Sequence, residues 1–188
     1  MAEYRPTSSF NYHPSVVEFT VPKASYLAAH PGAHFGYIAT SALVLDTGTG
    51  SDPRVLLLQR AASDSNPNKW EPPGGACDDD DESILHAAAR ELWEEAGLQA
   101  ARISRLVGDP YNFSISIGEV RQFSFAVSIK TENGTPPAVR LNPEEHQRFV
   151  WATESEVRAR NVGGIDLEFT AEEVERTVLL AFSHIQEK

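Results

Sequence analysis

Apolar and β-branched residues fall in short blocks along the chain, separated by polar stretches rich in Gly, Pro, Asn and Asp. Phe35 to Leu45 (FGYIATSALVL) predicts a buried strand, and Arg54 to Arg60 (RVLLLQR) a second one. The polar DTGTGSDP between them predicts a hairpin with a long turn. Ala61 to Asn68 reads as a loop. Further on, Ala101 to Val107 predicts a strand and Gly108 to Gly118 a turn-rich connection. Val120 to Lys130 (VRQFSFAVSIK) alternates well enough for a half-buried strand, Thr131 to Asn142 reads as a loop, and Gln147 to Trp151 as a last strand.

Three segments carry a helical period instead. Between about Glu82 and a C-cap at Gly97, residues Leu85, Ala88, Ala89, Leu92 and Ala96 form one apolar stripe. Thr153 to Arg160 starts on a polar cap and predicts a short helix. Thr170 to Gln186 predicts a longer one, with Thr170 and Glu173 spaced as a capping box. Its apolar positions are Val174, Thr177, Val178, Ala181 and Ile185. Residues 1 to 33 form an N-terminal arm punctuated by Pro6, Pro14, Pro22 and Pro31, which argues against a long helix there. Val16 to Val21 predicts a short strand within it. Phe10, Tyr12, Phe19 and Tyr26 are too many aromatics for a disordered tail. The arm is expected to pack on the domain formed by residues 34–188 or on a partner subunit, as in a homodimer. The whole reads as α/β of the α+β kind, with a mixed sheet.

Composition narrows the partners. The chain has 188 residues, enough for one domain, and a formal net charge of −11. That charge argues against generic binding to nucleic-acid backbones or anionic membranes. A phosphate ligand remains compatible if a divalent cation brings it in. Cys77 is the single cysteine, which excludes an internal disulfide and fits a reducing compartment. It lies beside an acidic loop with no base near it in sequence, so a nucleophilic role is not expected. No leader-like segment opens the chain, and no apolar run approaches the roughly 18 residues of a membrane span, so a cytoplasmic protein is expected.

The chemistry concentrates in GGACDDDDESILHAAARELWEEAGL, Gly74 to Leu98. On a helix, Glu91, Glu94 and Glu95 project from one side and repel one another at these spacings. A hard divalent cation such as Mg²⁺, which takes oxygen ligands, would neutralise them. The alternative is a solvated acidic face. Arg90 can hold a carboxylate by a bidentate fork, and Glu82 lies near the helix start, where acid is favoured. Pro73-Gly74-Gly75 forms a turn that lets backbone approach a ligand. The Asp78 to Asp81 run does not make an EF-hand, because the sixth position is Ser83 where a glycine is needed. His86 and His146 show no paired zinc spacing and read as surface or core histidines.

This stretch resembles the Nudix box of the Nudix hydrolases, G-x5-E-x7-R-E-U-x-E-E-x-G-U with U apolar. Glu82, seven residues, then Arg90-Glu91-Leu92-Trp93-Glu94-Glu95-Ala96-Gly97-Leu98 match every fixed position of its second part. The first part departs: six residues rather than five separate Gly75 from Glu82, an insertion of one in the acidic loop. The resemblance implies an α/β/α sandwich and hydrolysis of a diphosphate linkage in a nucleoside diphosphate derivative or related small molecule, with Mg²⁺ or Mn²⁺ as cofactor; the net charge separately leads us to expect neither nucleic acid nor membrane as partner. It implies Glu91, Glu94 and Glu95 as metal ligands, Glu82 as an outer ligand, and a backbone carbonyl from Gly74, Gly75 or Ala76, with Gly75 the box position. Arg90 would orient a carboxylate. The general base would be Glu91, or Glu144 or Glu145 in the Asn142-Pro143-Glu144-Glu145-His146 segment. Arg60, Trp70, Tyr111 and Phe113 are the candidate substrate contacts, with Trp70 equally readable as a core residue and Tyr111 and Phe113 as packing residues. A non-catalytic nucleotide sensor is the rival from another class. A diphosphate isomerase of the same fold would want a cysteine elsewhere than Cys77.

Overall fold

A computed structural model describes residues 9–48, 52–131 and 137–183. Its strands are β1 (Asn11–Tyr12), β2 (Tyr37–Asp46), β3 (Arg54–Arg60), β4 (Trp70–Glu71), β5 (Gly74–Ala76), β6 (Ala100–Leu106), β7 (Tyr111–Ile115), β8 (Gly118–Ile129), β9 (His146–Thr153), β10 (Asn161–Val162) and β11 (Ile165–Asp166). Its helices are α1 (Lys23–Ala29), α2 (Ile84–Ala96), α3 (Glu154–Ala159) and α4 (Glu172–Ser183). Nine strands make one mixed sheet along the path β1-β6-β8-β2-β3-β4, with β5 on β2, β7 on β8 and β9 on β3.

Period-2 alternation sends successive side chains to opposite faces. On β3, Leu56 and Leu58 join Ile38, Ala42 and Val44 under Leu85, Ala88 and Leu92 of α2. Val55 and Leu57 join Leu43 and Val150 on the other face, under Val157 of α3 and Val178 and Phe182 of α4. Both faces are therefore covered, and the α/β/α sandwich with a mixed sheet is what the structure has. Among the described residues no helix is long and apolar enough to cross a membrane.

The expected β2–β3 hairpin forms, but only Leu45↔Val55 and Asp46↔Arg54 pair. Beyond them the strands part. β2 runs parallel to β8 from Tyr37↔Val120 to Val44↔Val127, and β3 runs antiparallel to β9 from Arg54↔Thr153 to Arg60↔His146. The segment Trp70–Ala76 crosses between them: Glu71 pairs with Leu58 of β3, and Gly74 and Gly75 pair with Ser41 and Thr40 of β2. This crossing places the glycine pair against α2.

Three local expectations are corrected. Val16 to Val21 is no strand: Pro14 opens a 3-10 helix, Pro14–Phe19, whose Ser15 N–H donates to His13 Nδ1 and whose Val16 N–H donates to the His13 carbonyl. Its Val16 and Phe19, three apart, drop into the core, where Phe19 meets Phe123 and Phe125. The Gly108–Gly118 connection contains β7, paired with β8 from Tyr111↔Gln122 to Ile115↔Gly118. Its Tyr-Asn-Phe-Ser-Ile alternation outweighs the flanking turn residues. Finally, α4 begins at Glu172, so Thr170 does not cap it; Thr170 donates its N–H to the Trp70 carbonyl instead. The helix is described to Ser183, and Ile185 lies outside the described residues.

Candidate active site

The carboxylate helix begins where Ser83, in extended conformation, accepts from the His86 N–H, and ends at Gly97 with φ +68°. The predicted stripe Leu85, Ala88, Ala89, Leu92 and Ala96 is buried throughout. Glu91 and Glu95, one turn apart, face β5, whereas Glu94 is half exposed. The Gly74 N–H donates to Glu95 Oε2 at 2.7 Å. A Cβ on Gly75 would stand 2.8 Å from the Glu91 carboxyl carbon. Backbone and carboxylates thus meet closely: a Cβ at Gly75 would require the Glu91 carboxylate to move, and one at Gly74 would strike the β2 backbone.

Arg90 ties loop to helix. Its Nε and Nη2 donate to the two oxygens of Asp81 at 2.9 and 3.0 Å, Nη2 also to the Ala76 carbonyl at 2.9 Å, and Nη1 to Glu91 and Glu94 at 2.8 and 2.9 Å. The partner that takes the bidentate fork is Asp81, with a side chain 8% exposed. Glu82 is 83% exposed and faces His86 at 3.5 Å, away from the acids of the site. Counting from Gly75, Asp81 stands where the box acid belongs; counting back from Arg90, Glu82 does. The extra loop residue lets the fold place the nearer acid on the arginine and turn Glu82 outward.

The far wall comes from the 140–146 segment. The N–H groups of Arg140 and Asn142 donate to the Ala96 and Glu95 carbonyls, satisfying open acceptors at the C-terminus of α2. Gly97 is needed here twice, for its positive φ and because a Cβ would lie 2.9 Å from Arg140 Cβ. This docking carries Glu145 and His146 to Glu95: one ligand atom from each of the three lies within 4.8 Å of the other two. His146 is 2% exposed, and neither ring nitrogen has a hydrogen-bond partner. Its Nδ1 is 3.9 Å from Glu95 Oε1, and its Nε2 is 3.8 Å from Glu71 Oε1.

Burial raises the Glu91 carboxyl to about 7, against the opposing pull of Arg90 and with help from Glu94 and Glu145. Burial likewise pushes Glu95 well above the carboxylate range, opposed by the Gly74 N–H and reinforced by Glu91, Glu71 and Glu145. Buried acids that resist ionisation, beside an imidazole without hydrogen bonds, form a donor set that fits a divalent cation.

The remaining candidates divide. Trp70 is fully buried and donates from Nε1 to the Asp166 carbonyl at 3.1 Å, so its ring has no face for a ligand and it acts as a core residue. Arg60, the expected substrate contact, is engaged by Asp64 at 2.9 and 2.7 Å and by Glu71. Tyr111 and Phe113 stand side by side on β7 with ring centroids 6.2 Å apart, Phe113 exposed. Burial, then Glu173 and Glu71, push the Tyr111 hydroxyl up to about 12. Cys77 is buried, and burial followed by Asp81 raises its thiol to about 12, which fits an inert residue. Sequence reasoning did not assign Glu71 to the site and expected a surface or core histidine at 146. The position of Glu71 two residues before Pro73-Gly74 and of His146 beside Glu145 were the available signals.

A model of the NUDIX domain matches residues 37–172. The human m7GpppN-mRNA hydrolase NUDT17 is 51% identical over 115 residues, covering 55% of this chain and 35% of that protein. Its Danio rerio counterpart is 33% identical over 121 residues, covering 58% and 40%. The chain therefore spans well under half the length of these relatives. The MutT protein from Methanosarcina mazei Go1 superposes with a TM-score of 0.57 at 25% identity, over 81% of this chain and 96% of that one. Because the matched range runs from β2 through the glycine pair and α2 to the Glu145–His146 wall, this chain belongs to the Nudix hydrolase family.

Proposed function

We propose that this protein is a divalent-metal-dependent pyrophosphohydrolase, cleaving a diphosphate linkage by attack of water on phosphorus. The observation that carries the reading is the meeting of Glu95, Glu145 and His146 beside buried Glu91, in a member of this family. Glu95, Glu145 and the Gly75 carbonyl would hold Mg²⁺ or Mn²⁺, with Glu94 joining once it leaves Arg90. A bound cation neutralises adjacent phosphates and acidifies a water. Arg90 fixes the separation of β5 and α2 through Ala76 and Asp81. Glu91, raised to about 7, is suited to take the proton of the attacking water near neutral pH, and Glu145 is the other candidate. The water oxygen bonds to phosphorus as the bridging P–O bond breaks, so each turnover yields two phosphate-bearing products. Tyr111 and Phe113 offer a surface on which a base can stack.

The name of the human relative points to a 5′–5′ polyphosphate cap as the first substrate to try. An acidic protein gives little purchase to an RNA backbone, so a cap dinucleotide should serve about as well as capped RNA. Chromatographic product analysis over cap dinucleotide, capped RNA, dinucleoside polyphosphates, ADP-ribose, NADH, coenzyme A and prenyl diphosphates, with Mg²⁺ or Mn²⁺ and with chelator, tests this. Metal-dependent release of two phosphorylated products from one class supports it. Tight binding without turnover across the panel would instead make the protein a nucleotide sensor.

A further inference from the structure

We propose that His146 is itself a metal ligand through Nδ1, oriented by Glu71 and Arg60, and that this nitrogen makes the site prefer Mn²⁺ over Mg²⁺. The proposal rests on the metal-site reading above and adds to it.

An imidazole at 2% exposure with no hydrogen bond on either nitrogen is costly, since a buried polar group left unsatisfied forfeits its hydration without return. The surroundings of His146 are those of a ligand whose ion is yet to be counted. On one side, Nδ1 looks at Glu95 Oε1 from 3.9 Å, with Glu145 in the same cluster. Donors that far apart can share an ion with bonds of about 2.0–2.2 Å. On the other side, Nε2 looks at Glu71. Metal-bound histidines almost always give their second ring N–H to a carboxylate, a backbone carbonyl or water, which fixes the tautomer and raises ligand basicity. Glu71 is in turn gripped by Arg60, whose fork is closed by Asp64. Arg60, Glu71, His146 and Glu95 thus form a line that ends at the acids of α2.

Strand register puts the line there. β4 and β9 both pair with β3, setting Glu71 opposite Leu58 and His146 opposite Arg60. The imidazole is rigidly presented rather than carried on a free loop. A nitrogen donor matters for selectivity: Mg²⁺ takes oxygen and gains little from imidazole, while affinity for nitrogen-containing sites rises along the first transition series.

The test uses untagged, metal-stripped protein and isothermal titration with Mn²⁺ and Mg²⁺. In His146→Gln, Mn²⁺ should bind about tenfold to a hundredfold more weakly, with Mg²⁺ affinity changed less than about threefold. Electron spin-echo spectroscopy of bound Mn²⁺ should show ¹⁴N imidazole coupling in the wild type and none in His146→Gln. Glu71→Gln, a milder change, should retain the coupling and weaken Mn²⁺ severalfold, which keeps the idea testable if His146→Gln folds poorly. Mn²⁺ bound without nitrogen coupling, or equal weakening of both ions, overturns the role of His146 while leaving the acidic metal site intact. If neither ion binds the wild type, or Glu95→Gln binds both as well as wild type, the hydrolase reading falls and this proposal with it.

Discussion

Glu91 is buried in the metal-free protein, which makes its charge measurable as stability. Its side chain is 12% exposed, and burial lifts its carboxyl from 4.5 to about 7. In the unfolded chain the proton leaves near 4.5; in the folded, metal-free protein it stays until about 7. The stability tied to Glu91 is therefore complete below 4.5 and is lost as pH rises through 7. At about 1.4 kcal/mol for each tenfold change in proton affinity, the loss is at most about 3 kcal/mol. Glu91→Gln keeps the shape and removes the titration. Urea unfolding of metal-stripped protein, followed by tryptophan fluorescence, should show wild type losing about 2–3 kcal/mol more than Glu91→Gln between pH 5 and pH 8. Glu95 is common to the two proteins but is itself pushed up by Glu91, so the difference reads Glu91 together with its effect on that neighbour. Saturating Mn²⁺ should stabilise both proteins by mass action, since Glu95 and Glu145 are intact in each, so the pH comparison is made in chelator. Parallel pH profiles for the two proteins would refute the reasoning, since Glu91 would then ionise without cost in the folded state.

Other substitutions probe other joints of the site. Glu95→Gln should cut turnover at least about a hundredfold on the substrate found by screening, and in chelator should melt no lower than wild type; near-normal rates would remove Glu95 from the metal set. Asp81→Asn should destabilise by about 1–3 kcal/mol in urea, since Arg90 loses its bidentate partner, whereas Glu82→Gln should stay within about 0.5 kcal/mol; equal effects would mean that Asp81 has not taken the role. Gly74→Ala should destabilise by at least about 2 kcal/mol, because its Cβ would collide with the Thr40 carbonyl oxygen and lie 2.7 Å from Ser41 Cα. Gly75→Ala should fold, because only the movable Glu91 carboxylate stands in the way, but should lose metal affinity by titration calorimetry.

What could be read from the chain depended on whether its cause was local. The helix of carboxylates was legible because its stripe, its glycine cap and the alignment of Glu91 with Glu95 all follow from a 3.6-residue period. β7 was not, because Gly108, Pro110 and Gly118 around it speak for turns more loudly than five alternating residues speak for a strand. The 3-10 helix at Pro14 was missed for a similar reason, since Val16-Val17 alone favours extension. The far wall was half legible. Glu145 stood out as an acid in a segment of known type, but nothing periodic shows that Glu71 and His146 flank each other. Their meeting is set by two antiparallel registers on β3, pairings between residues far apart in sequence. Trp70 was ambiguous because an aromatic before a glycine pair suits a binding face or a core equally; the Asp166 carbonyl that receives its N–H decides for the core.

The one-residue insertion and the N-terminal arm belong to the same physical problem, holding an acidic loop in place beside acidic side chains. Asp78 to Asp81 would repel Glu91 and Glu94 if left alone. Arg90 answers from the helix side, bonding Asp81 and the Ala76 carbonyl while its other nitrogen serves the two glutamates. The arm answers from outside. Lys23 donates to the Cys77 carbonyl at 2.7 Å and lies 3.0 Å from Asp79, and the Val21 carbonyl accepts from Ile84 N–H at the first residue of α2. Phe10 packs on His86 at 4.9 Å, two residues further along. The arm is itself anchored by buried Val16 and Phe19, so Lys23 does not pay the full entropy of being held. Two cations thus balance the loop from opposite sides, and neither faces the space between Glu95, Glu145 and His146. There burial favours the protonated Glu95, and a metal ion that entered would take the place of that proton and bring a diphosphate along.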